Sequence, residues 1–338
     1  MGMIKLSRKA LKNNIDIIAQ RVGNLDKIAA VLKDNAYGHG SVMMAEALSE
    51  MGVKHAVVRT SDEALEIAEF FDTILVLADT DAMVSPKISY AINSLEMIRE
   101  LPSGCRVELK VDSGMHRNGV SADELEMAFA MMREANLECI GVFSHHRAAD
   151  TLSSEWFWQR KNFDTIKELS QNLSSRYGYN PRYHLSNSAA IFRDGAHSED
   201  IVRAGIAIYG CLEMESSLVQ PPLEPVLSLW ATKISSRVLR AGERVGYNGI
   251  YEADKDVVVS TYDVGYSDGL SRLASNSFVT PDGYRLLGRI SMDNMTFDSD
   301  SDEIVIFNSA NSYAMAAGTI GYEVLALLDS KLPRVWID

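Results

Sequence analysis

"IAAVLKDNAYGHG", residues 28–40, joins an apolar segment to a polar loop that contains two glycines. Its first six residues predict a strand buried on both faces, with Lys33 as the last residue. Continuously apolar strands are typical of parallel sheets covered by helices. In a closed parallel barrel the active site lies at the C-terminal ends of the strands. The stretch therefore predicts a barrel strand that carries a lysine amine to an active site.

The amine of Lys33 has two interpretations at this point. Buried near other cations, it would lose its proton more easily, and a neutral amine attacks aldehydes. A lysine at a strand end can also extend along apolar surface and keep its charge in water. The stretch alone leaves both interpretations open.

The chain on either side alternates between strand and helix patterns. Helix patterns occur in "SVMMAEALSEMG", "SDEALEIAEF" and "SADELEMAFAMMREAN". The last of these opens with a capping box from Ser121 to Glu124. Further strand patterns are "AVVRT", "TILVLAD", "RVELKVD", "IGVFSHH", "YHLSNS" and "IVRAGIAIYG". The repeat is typical of βα units, and about eight of them close a parallel barrel. An open doubly wound sheet is the alternative, but no Gly-x-Gly-x-x-Gly follows a strand.

A proline-rich stretch, "SSLVQPPLEPV" at residues 216–226, separates this region from a different one. Beyond it the patterns predict strands in "LSLWATKISSRVL", "DVVVSTYDV", "YRLLGRISM" and "EIVIFN", and one helix in "YEVLALLD". We therefore expect two domains. An eight-stranded α/β barrel would span residues 9–225, and a mostly-β domain would comprise residues 226–338 together with residues 1–8.

Composition excludes several function classes. The 338 residues carry a formal net charge of −13, which disfavours nucleic acid and anionic membranes as partners. Three widely spaced cysteines show no metal-binding spacing and are typical of a reduced, cytoplasmic protein. No apolar run is long enough to span a bilayer, and the N-terminal residues lack a secretory signal pattern. We expect a cytoplasmic protein without a metal site.

Eight motifs, in order, resemble those of the alanine racemase family. They are "AVLKDNAYGHG", "LKVDSGMHRNG", "FSHHRAAD", "YHLSNSAA", "VRAGIAIYG", "VGYSDGLSR", "GRISMDNM" and "GTIGYEVL". Together they run from residue 28 to about residue 326, which is nearly the whole chain. The order and spacing of eight motifs make the resemblance specific, although each motif alone would be weak.

The resemblance implies the reaction and its bases. Lys33 would hold pyridoxal 5'-phosphate and act as one base, and Tyr266 would act from the opposite face. The two bases would interconvert L-alanine and D-alanine by proton transfer at Cα of the external aldimine, which supplies D-alanine for peptidoglycan. His145 would hydrogen-bond the tyrosine, Arg203 would face the pyridine nitrogen, and His184 would orient Arg203. The active sites would be shared between the two chains of a homodimer.

Other residues take binding roles by the same resemblance. The phosphate would be bound by Tyr37, Ser188, the backbone amides of Gly205 and Ile206, and Tyr322. The substrate carboxylate would be bound by Arg117 and by the backbone N–H of Met292, and Lys110 matches a lysine that carries a carbamate. For Lys110, an unmodified lysine paired with an acid is the alternative.

Five residues depart from the family pattern: Asp34 replaces a small residue, His116 a glycine, Ala204 a proline, Asn294 a glutamine and Gly321 an asparagine. His116 matters most, because it borders Arg117. Alternative functions are a racemase that prefers serine or another small amino acid, a barrel-type pyridoxal-phosphate decarboxylase, and a non-catalytic carrier of the cofactor. The decarboxylases carry a cysteine-containing loop that this sequence lacks, and the carriers lack a β-domain.

Overall fold

The computed structural model describes residues 2–193 and 198–338. Its strands are β1 (Met3–Leu6), β2 (Ile28–Val31), β3 (His55–Val58), β4 (Thr73–Val76), β5 (Ile88–Ile92), β6 (Arg106–Lys110), β7 (Glu138–Phe143), β8 (Arg182–His184), β9 (Val202–Ala204), β10 (Leu227–Leu239), β11 (Arg244–Val245), β12 (Tyr251–Glu252), β13 (Val257–Tyr262), β14 (Met295–Phe297), β15 (Glu303–Phe307) and β16 (Arg334–Trp336). Its helices are α1 (Arg8–Val22), α2 (Lys33–Tyr37), α3 (Ser41–Glu50), α4 (Ser61–Glu66), α5 (Met97–Glu100), α6 (Leu125–Glu134), α7 (Glu155–Tyr177), α8 (Ser188–Arg193), α9 (Ala310–Ala317) and α10 (Gly321–Leu327).

Eight parallel strands form the barrel that the sequence predicts. Their order is β8-β7-β6-β5-β4-β3-β2-β9, so β2 to β8 follow one another in chain order and β9 lies beside β2. The ring is completed next to the edge strands by two backbone hydrogen bonds, from Asp200 N to Tyr183 O (3.1 Å) and from Arg203 N to Ser186 O (2.9 Å). The predicted fold class, a parallel barrel followed by a mostly-β region, is confirmed.

The barrel strands bury both faces, which explains their continuous apolar sequences. The side chains that point into the barrel form a small apolar cluster of Ala29, Val31, Val57, Leu75, Ala91, Phe143 and Ile201. The outward side chains pack against the helices in the main core. The inward layers also hold charged residues on β6, β8 and β9, among them Glu108 and Arg203, both buried. Buried charges of this kind are retained only when they are paired.

The second region is built on a six-stranded sheet. Strands β14, β13, β10, β1 and β16 follow one another, and β15 pairs with β10. Strand β1, at the start of the chain, pairs antiparallel with β10 and parallel with β16, so both ends of the chain lie in this sheet. Tyr262, Phe297, Phe307 and Tyr313 are among its largest buried side chains.

Several predicted elements differ from the structure. The strand predicted to end at Lys33 ends at Val31 instead. Residues 284–292, predicted as a strand, contain only two isolated bridge residues, because Gly288 adopts a φ of +75° that interrupts an extended segment. The predicted elements include no counterpart of strands β1, β5, β11, β12, β14 and β16 or of helices α1, α2, α5, α7, α8 and α9.

Candidate active site

The turn that follows β2 presents Lys33 at the C-terminal end of the barrel. Helix α2 is a left-handed turn, with φ between 51° and 55° for the four residues Asp34–Tyr37. Non-glycine residues adopt this conformation at a cost of about 1–2 kcal/mol each, so the turn requires external support. Glu63 provides it: one carboxylate oxygen accepts from Asp34 N (2.7 Å), and the other accepts from Arg59 N (2.7 Å).

The turn also packs against the C-terminal region. A Cβ on Gly38 would lie 2.2 Å from the carbonyl oxygen of Leu325, so only glycine allows α2 and α10 to approach this closely. The approach places the ring of Tyr322 6.1 Å from the ring of Tyr37. Two distant segments thus contribute to one site.

A cavity of about 630 Å³ opens beside Lys33. This volume lies within the usual range for small-molecule sites. Ten of the predicted site residues line it: Lys33, Tyr37, Lys110, Arg117, His145, Ser188, Arg203, Gly205, Ile206 and Tyr322. The structure therefore brings together residues that are spread over 290 positions of the chain (322 minus 33, both included).

Arg203 lies at the centre of a buried polar network. Its guanidinium donates to Nδ1 of His184, to Ser144 O (2.6 Å), to Leu185 O (3.2 Å) and to Nδ1 of His145 (3.4 Å). Burial lowers the pKa of Arg203 to about 10, so it remains a cation at neutral pH. Burial and the charge of Arg203 hold the pKa of His145 well below its usual value. His145 is therefore a neutral hydrogen-bonding group.

At the other end of the cavity, hydrogen-bond donors converge. Ser188 Oγ accepts from Gly205 N (2.9 Å) and Ala207 N (3.2 Å), which leaves its own hydrogen available for an acceptor. A Cβ on Gly205 would lie 2.9 Å from the hydroxyl of Tyr37, so the glycine allows the phenol to lie against the backbone. Burial raises the pKa of Tyr37, which keeps its phenol protonated as a donor. Hydroxyl and backbone donors suit a phosphate dianion.

Lys110, at the end of β6, lines the same cavity beside Arg117. Its Nζ contacts Asn118 Oδ1, and the side chain is largely buried. Burial, followed by the charges of Arg117 and Arg203, lowers the pKa of Lys110 to about 8. An appreciable fraction of the amine is therefore neutral near physiological pH.

His116, which precedes Arg117, adopts a φ of +53°. Its imidazole points to solvent and lies 3.1 Å from Asp112 Oδ2, outside the residues that line the cavity. A left-handed φ explains why glycine suits this position. His116 therefore lies in the loop and contributes no side chain to the cavity wall.

Tyr266 and Met292 are the two predicted residues that the structure places elsewhere on the surface. Tyr266 is 41% exposed and Met292 is 54% exposed, and neither lines the cavity around Lys33. The two lie close together, because Tyr266 N donates to Ser291 O (3.0 Å) and Ser267 N donates to Met292 O (2.9 Å). One chain therefore holds the predicted bases at separate sites.

Sequence reasoning missed three groups of residues in and behind the cavity. Asn118 and Asn187 line it, and so does Arg59, which lies 3.4 Å from the Asp34 carboxylate. Asp34 also lies 3.8 Å from the Lys33 amine. Glu108 lies behind the cavity on β6. Its signal was present in the sequence, because a residue two positions before Lys110 on a strand faces the same side.

Within residues 2–193 and 198–338, no helix has both the length and the apolar character required to cross a membrane.

Comparisons with known proteins give a consistent result. Models of the alanine racemase N-terminal and C-terminal domains match residues 6–213 and 226–336. The chain is 47% identical to the alanine racemase of a Nitratiruptor species and 38% identical to that of Campylobacter curvus. Each alignment covers 100% of this chain and 100% of the relative. Among solved structures, the alanine racemase of Bacillus anthracis with bound L-Ala-P gives a TM-score of 0.89 at 27% identity, covering 100% of this chain and 95% of that one. The alanine racemase of Streptomyces lavendulae gives a TM-score of 0.88 at 27% identity, covering 100% of this chain and 97% of that one.

Proposed function

Because the chain belongs to the alanine racemase family, we propose that it interconverts L-alanine and D-alanine with pyridoxal 5'-phosphate bound at Lys33. The family uses this cofactor, acts on small amino acids and is typically dimeric. The observation that carries the proposal is the single cavity in which the Lys33 amine, the Arg203 guanidinium and the donors around Ser188 meet. Residues 9–225 would form the cofactor-binding barrel, and residues 226–338 with residues 1–8 the β-domain.

The residues present fit the cofactor. The hydroxyls of Ser188 and Tyr37, beside the backbone of Gly205 and Ile206, are donors of the kind that suits a phosphate dianion. Arg203 has no acceptor atom, so it would face a ring nitrogen that carries no proton. When bound, pyridoxal phosphate supplies an electron sink that makes the hydrogen on the substrate Cα acidic.

Two residues would then move the proton at Cα. The amine of Lys33 would remove or return it on one face, and the hydroxyl of Tyr266 would do so on the other. Since Tyr266 does not line the Lys33 cavity of its own chain, it would come from the partner subunit of a two-fold dimer. His145, neutral and with Nδ1 accepting from Arg203, would donate from Nε2 to the oxygen of that phenol, which stabilises the phenolate and helps it to act as a base.

The substrate carboxylate would be held by Arg117 together with the backbone N–H of Met292 of the partner subunit. Lys110 is suited to hold Arg117 in place. Its neutral amine can add carbon dioxide, and the resulting carbamate is an anion beside a cation. The pKa of Lys110, about 8, supports this modification because only the neutral amine reacts.

We further propose a cytoplasmic enzyme that supplies D-alanine for bacterial peptidoglycan. The functional test is the loss of optical activity from single enantiomers of alanine, serine and other small amino acids. We expect rapid loss with alanine, visible absorbance of the purified protein, and borohydride fixation of the cofactor on the peptide that contains Lys33. Label on another lysine, or no loss of optical activity with alanine, would contradict the proposal.

A further inference from the structure

Glu108 is a fully buried carboxylate that the proposed reaction does not use. It lies on β6, two residues before Lys110, and its side chain points into the barrel with 0% exposure. Its hydrogen-bond partners among the residues that the structure describes are all donors: Arg182 Nη2 (2.6 Å) and Nε (3.4 Å), His184 Nε2 (2.7 Å) and Ser89 Oγ (3.0 Å). The neighbouring Arg182 and His184 hold the pKa of Glu108 far below its usual value despite burial, so it is ionised.

The barrel is shaped to admit this contact. Strand β7 lies between β6 and β8, and Gly141 is the residue in register with both Glu108 and Arg182. A Cβ on Gly141 would lie 2.2 Å from Oε2 and 2.8 Å from Cδ of Glu108. The missing side chain thus opens the passage through which the carboxylate crosses β7 and reaches the residues of β8.

The hydrogen bonds fix where the protons of His184 lie. An ionised carboxylate only accepts, so the imidazole must donate from Nε2 to Glu108. An arginine only donates, so Nδ1 of His184 must be the unprotonated nitrogen that accepts from Arg203. Burial lowers the pKa of His184 to about 4, and the ring is therefore neutral with a single hydrogen. The Phe143 ring, stacked on the imidazole at 4.9 Å and 5°, restricts tilting.

We propose that Glu108 is a positioning residue that sets the tautomer of His184 and thereby holds the Arg203 guanidinium toward the cofactor ring. A carboxylate that accepts from one imidazole nitrogen keeps the hydrogen on that nitrogen and leaves the other nitrogen as an acceptor. If His184 carried its hydrogen on Nδ1, that N–H would oppose the N–H of Arg203, and the guanidinium would shift. The inference rests on the proposed function, because only that function places a cofactor ring in front of Arg203.

A purely structural role is the competing explanation, since Glu108 also neutralises the partly buried Arg182. The two roles differ in what they predict for His184 and for turnover. A charge partner of Arg182 would affect folding stability alone. A residue that sets the tautomer would change the imidazole nitrogens and the rate of the chemical step.

The test uses the purified holoenzyme with ¹⁵N-labelled histidine and three variants. Glu108→Gln keeps the shape and removes the charge, and Gly141→Ala keeps the charge and displaces the carboxylate. Ser89→Ala is the matched control, because it removes one hydrogen bond to Glu108 and leaves His184 untouched. Nitrogen chemical shifts separate protonated from unprotonated imidazole nitrogens, and racemisation kinetics give kcat and KM.

We expect wild-type His184 to be protonated at Nε2 alone, and Ser89→Ala to match it. Glu108→Gln and Gly141→Ala should change the His184 nitrogen shifts and lower kcat by about tenfold or more, with KM changed by less than about threefold. If Glu108→Gln does not fold, Gly141→Ala alone decides, because it retains every charge.

Unchanged His184 shifts in the folded variants would overturn the inference, and so would changed shifts with an unchanged kcat. A wild-type protein with the expected His184 tautomer that neither binds pyridoxal phosphate nor racemises alanine would overturn the proposed function, and it would leave the Glu108–His184 contact confirmed.

Discussion

At the scale of single residues, the proposed position of Arg203 against the pyridine nitrogen would determine what the bound cofactor can do. A carboxylate facing the pyridine nitrogen would keep that nitrogen protonated and make the ring a strong electron sink. A guanidinium with a pKa of about 10 cannot accept a proton, so the sink is weaker. A weaker sink disfavours long-lived carbanions and the side reactions that follow from them. The residue therefore favours prompt return of the proton, as racemisation requires.

The two proposed bases should differ in the enantiomer they serve. By family resemblance Lys33 acts on D-alanine and Tyr266 acts on L-alanine. Replacing Tyr266 by phenylalanine removes the phenol and keeps the ring, so solvent deuterium exchange at Cα should fall far more for L-alanine than for D-alanine. The measurement is mass spectrometry of each enantiomer after incubation in D₂O. An equal loss for both enantiomers would show that Tyr266 is only structural.

Lys110 should carry a carbamate whose occupancy depends on pH. Only the neutral amine reacts, and the pKa of Lys110 is lowered to about 8 by burial, Arg117 and Arg203. With ¹³C-labelled bicarbonate, the carbamate signal should rise with pH through about 8 and then level off, since the amine is fully neutral above that pH. Lys110→Gln is the control and should lack the signal. A wild-type spectrum without a carbamate signal near pH 8 would contradict the modification.

At the scale of elements, the left-handed turn α2 depends on Glu63. This carboxylate completes the capping box of α4 with Thr60 and also accepts from Asp34 N in the turn. Glu63→Ala leaves these amides without their acceptor, so we expect a loss of about 1–2 kcal/mol in the free energy of unfolding together with reduced activity. Urea denaturation and racemisation assays measure the two effects.

Glu66→Ala on the same helix is the control for Glu63, because Glu66 is exposed and should change stability by less than about 0.5 kcal/mol. Similar losses for both variants would show that Glu63 supports only the helix. A Glu63→Ala enzyme with unchanged activity would show that the turn does not need its support.

Sequence patterns predict those elements whose cause is local. The segment predicted over residues 227–239 is strand β10 to the residue, and the capping box at Ser121 is present. Strand β5 is a short run, "ISYAI", whose burial comes from its neighbours in the barrel, so no local pattern marks it. The cavity residues are found through motifs, whereas Glu108 is missed because its partners lie 74 and 76 positions away.

The whole molecule should lose stability in mild acid because it buries neutral histidines. Burial lowers the pKa of His39 and of His184 from 6.5 to about 4, and that of His146 to about 3. Between about pH 6.5 and pH 4 the unfolded chain therefore binds more protons than the folded chain, so stability falls as pH falls. Each of these histidines contributes on the order of 3 kcal/mol across the window. Urea midpoints should drop steeply over this range.

His146→Phe tests the origin of this acid sensitivity. The imidazole is buried and stacks on Trp156 at 4.3 Å, so phenylalanine can replace it in the same packing without a titrating group. The variant should show a shallower fall in unfolding free energy with acidification. Exposed His116 is the control, and His116→Asn should keep the wild-type slope. An unchanged slope in His146→Phe would assign the acid sensitivity to other groups.

The arrangement of the whole molecule also determines how the active site is completed. Lys33 lies at the mouth of the barrel and Tyr266 on the exposed face of the second region, and one chain does not bring them together. The family resemblance predicts a shared site, whereas local sequence patterns alone cannot, because the separation depends on the relative placement of two regions that fold around different cores. A two-fold dimer would complete both sites with one contact made twice.

Subunit mixing tests this arrangement most directly. Lys33→Ala and Tyr266→Phe should each be inactive as homodimers, since every site would lack one base. After exchange of subunits, a mixed dimer has one site with both lesions and one site with neither. If half of the dimers are mixed, racemisation should return to about a quarter of the wild-type rate. No return of activity in a sample shown to contain mixed dimers would place Lys33 and its opposing base in the same chain and contradict the account.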